Sequence, residues 1–158
     1  MDHSHIVTRF DKDLSEIESL LVEMADLVAK QIRDSAKALQ LGDDKLAKTV
    51  TKNDSKINRL EEKIDDKAIR LIALRQPMAE DLRSAITTLK VSNCLERMGD
   101  YAKTLSYRAR KIDDFSAMKS ILRSIAEMSE KIINMLNVVM EAYVNRDLKK
   151  AHDAREAD

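Results

Sequence analysis

Two glycines and one proline are all the chain-breaking residues in 158 positions. Those are the residue types that let a backbone turn, so a chain this poor in them must run far between turns. The runs are filled with helix formers. Aromatic residues make up 3% of the chain, hydrophobic residues 44% and charged residues 35%, a mixture that leaves little for strands. The apolar residues also recur at steps of three and four, the period of one face of a helix.

In the first helix, Thr8 to Leu39, the stripe is Leu14, Ile17, Leu21, Met24, Val28, Ile32, Ala36 and Leu39. Gly42 follows as a C-terminal cap, and Asp43 is placed to cap the next helix. That helix, Asp44 to Leu74, carries Leu46, Val50, Ile57, Leu60, Ile64, Ala68 and Leu71, and Pro77 ends it. The third, Met78 to Lys111, opens with Pro77 at or near its first turn and with Glu80 and Asp81 at its positive end. It carries two stripes, Leu82, Ile86 and Leu89 on one side and Val91, Leu95, Met98, Ala102, Leu105, Ala109 and Ile112 on the other. Two stripes predict coverage on both sides. Past Asp113 and Asp114, a fourth helix from Phe115 to Tyr143 is apolar around much of its girth, as for a helix buried between neighbours. A break at Asn145 to Asp147 precedes a polar helical start, Leu148 to Asp158. Long helices with short loops are antiparallel neighbours, so the expected fold is an all-α elongated bundle.

A shift of 104 residues superposes Ile17 on Ile121, Met24 on Met128, Asp43 on Asp147, Ala47 on Ala151 and Asp54 on Asp158. This divides the chain into a three-helix-bundle repeat, residues 1–113, and the start of a second, residues 114–158, with one full helix and the beginning of the next. The fourth helix would then lack two of its bundle partners, and its open stripe would associate with another chain.

Charge and motifs narrow the function. Twenty-eight basic and twenty-eight acidic side chains leave no basic surplus for nucleic acid. No apolar run approaches the ~18–20 residues of a membrane span, and the N-terminus lacks a signal-peptide pattern. A cytoplasmic protein is the expectation. Cys94 alone makes neither a disulfide nor a zinc motif and reads as a packed thiol. His3 and His5 are a weak chelating pair, and His152 reads as a surface residue. Two glycines cannot build a P-loop, a nucleophile elbow or a dinucleotide turn, so none of these catalytic motifs is present.

The carboxylates Glu96 and Asp100 stand out, because like charges at i,i+4 on a helix repel unless a counter-charge or cation joins them. Arg97 is offset by about 100° and is an imperfect partner. On the second helix Asp54, Asn58, Glu61 and Asp65 form a row beside the apolar stripe. If the two flanks meet, oxygen donors converge in a set suited to a hard cation. The competing reading is a solvated flank paired with lysines such as Lys56 and Lys63.

Arg75-Gln76-Pro77-Met78-Ala79-Glu80-Asp81-Leu82-Arg83 and Leu95-Glu96-Arg97-Met98-Gly99-Asp100-Tyr101-Ala102-Lys103 closely resemble the signature of the PhoU family of phosphate-uptake regulators. Phe10 and the stretch from Val50 to Asn58 are similar as well, so the resemblance covers nearly the whole chain. It implies two tandem three-helix repeats. It also implies metal binding through Glu96 and Asp100, with Asp54 and Asn58 as the facing element; Glu61 of the same acidic row completes the candidate ligand set. The ion would be divalent or ferric: iron, magnesium, manganese or zinc. The expected role is a non-enzymatic negative regulator of the phosphate-starvation (Pho) regulon, a homodimer or other homo-oligomer peripheral to the membrane. Its expected partners are a phosphate ABC transporter ATPase and a sensor histidine kinase. Asn58 stands where the stricter motif has an acid, and Thr104 where it commonly has Asn. The second repeat stops at Asp158, as in a shortened member or a piece of a longer chain. A metal-dependent enzyme acting on phosphate esters and a purely structural helical oligomeriser are the alternatives.

Overall fold

The computed structural model describes residues 3–112 and 114–156, with side chains from Arg9 onward except Ser116. His3, His5, Asp113 and Asp158 therefore contribute no described side chain. Five α-helices and one 3₁₀ turn account for nearly all of it, and among the described residues there is no strand. The helices are α1 (His3–Leu41), α2 (Asp44–Arg75), α3 (Ala79–Ala109), α4 (Lys119–Asn145) and α5 (Leu148–Glu156); the 3₁₀ turn is Ser116–Met118.

The turns follow from a few residues. Gly42 takes φ +64°, and the Asp43 amide returns to the Ala38 carbonyl at 2.9 Å, closing α1. The Asp43 carboxylate then accepts the Leu46 amide at 3.0 Å and starts α2. The same bonds recur 104 residues later. Arg146 takes φ +53°, Asp147 donates to Ala142 at 2.9 Å, and the Asp147 carboxylate accepts the Lys150 amide at 2.9 Å. Pro77 sits outside both helices it separates. α2 ends at Arg75 with Gln76 left-handed, and Met78 is the N-cap of α3. Glu80 and Asp81 occupy the first turn of α3 as the sequence predicts.

Cross-helix pairs fix the directions. Arg75 grips Asp13 at 2.8 Å and Lys67 meets Glu16 at 3.1 Å, so α1 and α2 are antiparallel. Arg110 donates to Asp44 at 2.6 Å while Lys103 meets Asp54, so α2 and α3 are antiparallel too. Arg33 pairs with Glu130 and Glu18 with Arg146, which sets α4 antiparallel to α1. The α4 phenol of Tyr143 also hydrogen-bonds Thr88 of α3 at 3.0 Å. One core runs through α1, α2, α3 and α4 from Phe10 and Leu14 to Ile133 and Met140, with Leu21, Met24, Val28 and Ile64 fully covered.

Three expectations need correction. The two-sided packing of α3 is replaced by one buried line, Ala85, Thr88, Ser92, Leu95, Gly99, Ala102, Ser106 and Ala109. Leu82 and Ile86 are exposed, and Leu89, Val91 and Met98 only edge the core. Small side chains let the backbones approach, and they carry no hydrophobic signal in the sequence. Second, α4 is not enclosed. Leu122, Ile133, Leu136 and Met140 face inward, while Ile121, Met128, Ile132 and Val139 lie open. Third, the Cys94 thiol is exposed rather than packed. His152 is exposed, as expected.

Candidate functional site

The seam between α2 and α3 is held close by Gly99. A Cβ there would stand 3.0 Å from the Cδ1 of Ile57, tighter than ordinary contact, so a glycine lets these helices meet. The tight approach carries Asp54 into the interior, where it is 2% exposed. A buried carboxylate needs partners for both oxygens. Gln31 of α1 donates its amide to Oδ1 at 3.0 Å and also to the carbonyl of Gly99 at 3.1 Å. Lys103 of α3 gives its ammonium to Oδ2 at 2.7 Å and reaches Asp100 Oδ1 at 3.3 Å. One amide and one ammonium thus tie three helices at a single carboxylate.

Of the other predicted residues, Glu96 lies beside this pair, Glu61 is within reach of Glu96, and Asp65 of the row senses only the charge of its neighbour Asp66. Partial burial first, and then the charge and hydrogen bond of Asp100 with the charge of Asp54, raise Glu96 above the usual carboxylate range, with Lys103 opposing. Glu61 is raised by burial and by the charges of Asp65, Glu96 and Glu62. Asp65 is raised by burial and by Asp66. The Lys103 ammonium is held more firmly charged, chiefly by its bond to Asp54. Asn58 Oδ1 is shut away from solvent with no hydrogen-bond partner. The structure therefore brings Asp54, Glu96 and Asp100 into one network and sets Glu61 within electrostatic reach of Glu96. Arg97 turns aside, donating to the Tyr101 hydroxyl at 3.3 Å.

Among the described residues no group of three His, Cys, Asp or Glu side chains is arranged to hold a metal ion as it stands. The donor chemistry nonetheless suits a hard cation, with several carboxylates and an orphaned amide oxygen. The position between Asp54 and Asp100 is taken by Lys103. Two residues of this network, Lys103 and Gln31, are not marked by the like-charge spacing that singles out Glu96 and Asp100. Gln31 had a signal: it lies three residues beyond Val28 and four before Ser35, a polar residue on the buried face of α1. Lys103 had only its place three residues past Asp100.

The fold and the site together define a class of all-α bundle with an acidic seam between two of its long helices. The PhoU domain model matches residues 21–109, which contain the whole seam, and the chain belongs to the PhoU family. A phosphate-specific transport system accessory protein PhoU homolog of Caulobacter vibrioides is 37% identical over 93% of this chain and 64% of its own length. A protein of the same description from Clostridium acetobutylicum is 36% identical over 94% of this chain and 68% of its own. The crystal structure of PhoU from Pseudomonas aeruginosa superposes with a TM-score of 0.83 at 31% identity, covering 91% of this chain and 69% of that one. The chain thus spans about two thirds of the length of these relatives. No helix among the described residues is long and apolar enough to cross a membrane.

Proposed function

We propose that this chain is a regulatory adaptor of phosphate homeostasis that restrains the phosphate-starvation response. In this reading it works at the cytoplasmic face of the membrane, between a phosphate ABC transporter ATPase and a sensor histidine kinase, without catalytic turnover of its own. The observation that carries the reading is the family match over residues 21–109, together with relatives described as phosphate-specific transport system accessory proteins. In a bacterium lacking its own PhoU relative, expression of this chain should lower a phosphate-starvation reporter at high phosphate. A reporter that stays fully on in the presence of folded, soluble chain overturns the proposal.

The proposal extends to a metal. Glu96, Asp100, Asp54, Asn58 and Glu61 are the residues that would hold a divalent or ferric ion, iron, magnesium, manganese or zinc. The ion would supply positive charge where like charges now crowd. Elemental analysis of purified protein should show metal that falls away in a Glu96→Gln/Asp100→Asn variant; equal metal in both rejects this assignment. Residues 1–113 and 114–158 are proposed as one complete three-helix unit and the beginning of another. The open α4 face is proposed as the surface through which copies of the chain associate.

A further inference from the structure

We propose that the cleft between α1 and α2, together with the Pro77 turn that follows it, is a docking site for an acidic, amphipathic segment of a protein partner. The stretch from Arg75 to Arg83 stands out in the sequence as sharply as Leu95 to Lys103, yet none of its residues joins the Asp54 network. Arg75 instead faces α1 and bonds Asp13 at 2.8 Å. Beside that bond lies a cleft of about 370 Å³, floored by the buried Ile17 and Leu71. Arg75–Asp13 and Lys67–Glu16, the latter at 3.1 Å, are two neutral pairs in its walls. Arg70 also lines the cleft, one turn from both Lys67 and Leu74, and makes no hydrogen bond or ion pair among the described residues. One positive charge is therefore left over, on a planar guanidinium whose donors match a carboxylate.

The turn adds apolar surface. Leu74 is 67% exposed and Met78 81% exposed, on either side of Pro77. Gln76 at φ +48° and Ala79 at φ +47° hold the backbone in the left-handed region, which residues with a Cβ enter at a steric cost. That strain is kept in a turn whose large apolar side chains face water, so Leu74 and Met78 are presented rather than packed. An occupant must then offer a carboxylate and apolar groups side by side. Free phosphate has no apolar surface to lay on Leu74 and Met78. An anionic bilayer would meet the exposed acids Glu80 and Asp81 of the first turn of α3 along with the basic groups. A protein segment satisfies both requirements, with its carboxylate on Arg70 and its apolar residues on Leu74 and Met78.

The test pans a displayed library of random peptides on the folded chain and measures the enriched peptides, labelled with fluorescein, by anisotropy. Those peptides should carry Asp or Glu beside Leu, Ile or Phe. Arg70→Glu should weaken them about tenfold or more, and Leu74→Ser/Met78→Ser should weaken them several-fold, while Lys131→Glu on α4 leaves them unchanged. Arg70, Leu74 and Met78 are exposed, and circular dichroism of each variant should match that of the unaltered chain. Failure to enrich any peptide, enriched peptides without an acid, or equal affinity for Arg70→Glu overturns the proposal. So does binding of phosphatidylglycerol vesicles or of inorganic phosphate that Arg70→Glu abolishes while peptide binding is untouched.

Discussion

At the scale of single residues, the chain invests most heavily around Asp54. Gln31 satisfies two acceptors at once, Asp54 Oδ1 and the Gly99 carbonyl. Gln31→Leu would leave both without that donor, and burying unpaired acceptors costs about 1–3 kcal/mol each. A urea melt of this variant should show a loss of at least that size; an unchanged midpoint would mean water replaces the amide. The crowded carboxylates act in the opposite direction. Glu96, Glu61 and Asp65 bind protons more readily folded than unfolded. Each therefore adds stability once pH falls through its raised value and withdraws it as pH rises. Asp44 and Glu130 are lowered by their partners Lys48, Arg110 and Arg33, and lose their contribution only in stronger acid. Thermal melts without metal should move upward as pH falls from neutrality toward the carboxylate range, and Glu96→Gln should blunt that rise.

Elements differ in how plainly the sequence announced them. The cores of α1 and α2 were legible because Leu21, Met24, Val28, Ile57 and Ile64 are large, apolar and spaced at three and four. Both turns were legible from Gly42, Asp43 and Asp147, whose capping chemistry is local. α3 is only partly legible, through Leu95, Ala102 and Ala109, because the rest of its buried line selects volume over hydrophobicity. Ala85, Thr88, Ser92, Gly99 and Ser106 are small enough for a tight seam, and Thr88 returns its hydroxyl to the Ser84 carbonyl at 3.0 Å. The visible pattern, Leu82 and Ile86, lay on the outside. Glu96 and Asp100 were found from their like-charge spacing, whereas the Lys103 partnership depends on a cross-helix approach that sequence spacing does not encode. α4 carries the clearest consequence at this scale. Its open residues Ile121, Met128, Ile132 and Val139 follow a seven-, four- and seven-residue spacing, the seam of a helix that packs on another. Sedimentation velocity should show concentration-dependent association of this chain, and Met128→Glu/Ile132→Lys should shift it toward monomer.

For the whole molecule, cohesion is unevenly shared. The three long helices α1, α2 and α3 enclose most of the buried core, α4 adds one face, and α5 contributes only Ala154. Regions with few buried contacts open with least free energy. Amide exchange should therefore be fastest in α5, slower in α4, and slowest around Leu21 to Val28 of α1. Protection in α5 equal to that in α1 would show a more uniform cooperativity than the packing implies.

The turn that recurs after 104 residues has a consequence in terms of symmetry. α1 and α4 lie antiparallel, and each begins a helix–turn–helix with the same capping bonds, so the pair is arranged about a pseudo-twofold axis within one polypeptide. In a homodimer with a true dyad, a residue near the axis meets its own copy and must suit itself. Here the equivalents Ala29 and Ile133 both lie in the shared core, one small and one large. Because α1 and α4 belong to one polypeptide, they need not be self-complementary, and a bulky side chain on one can stand opposite a space-making one on the other.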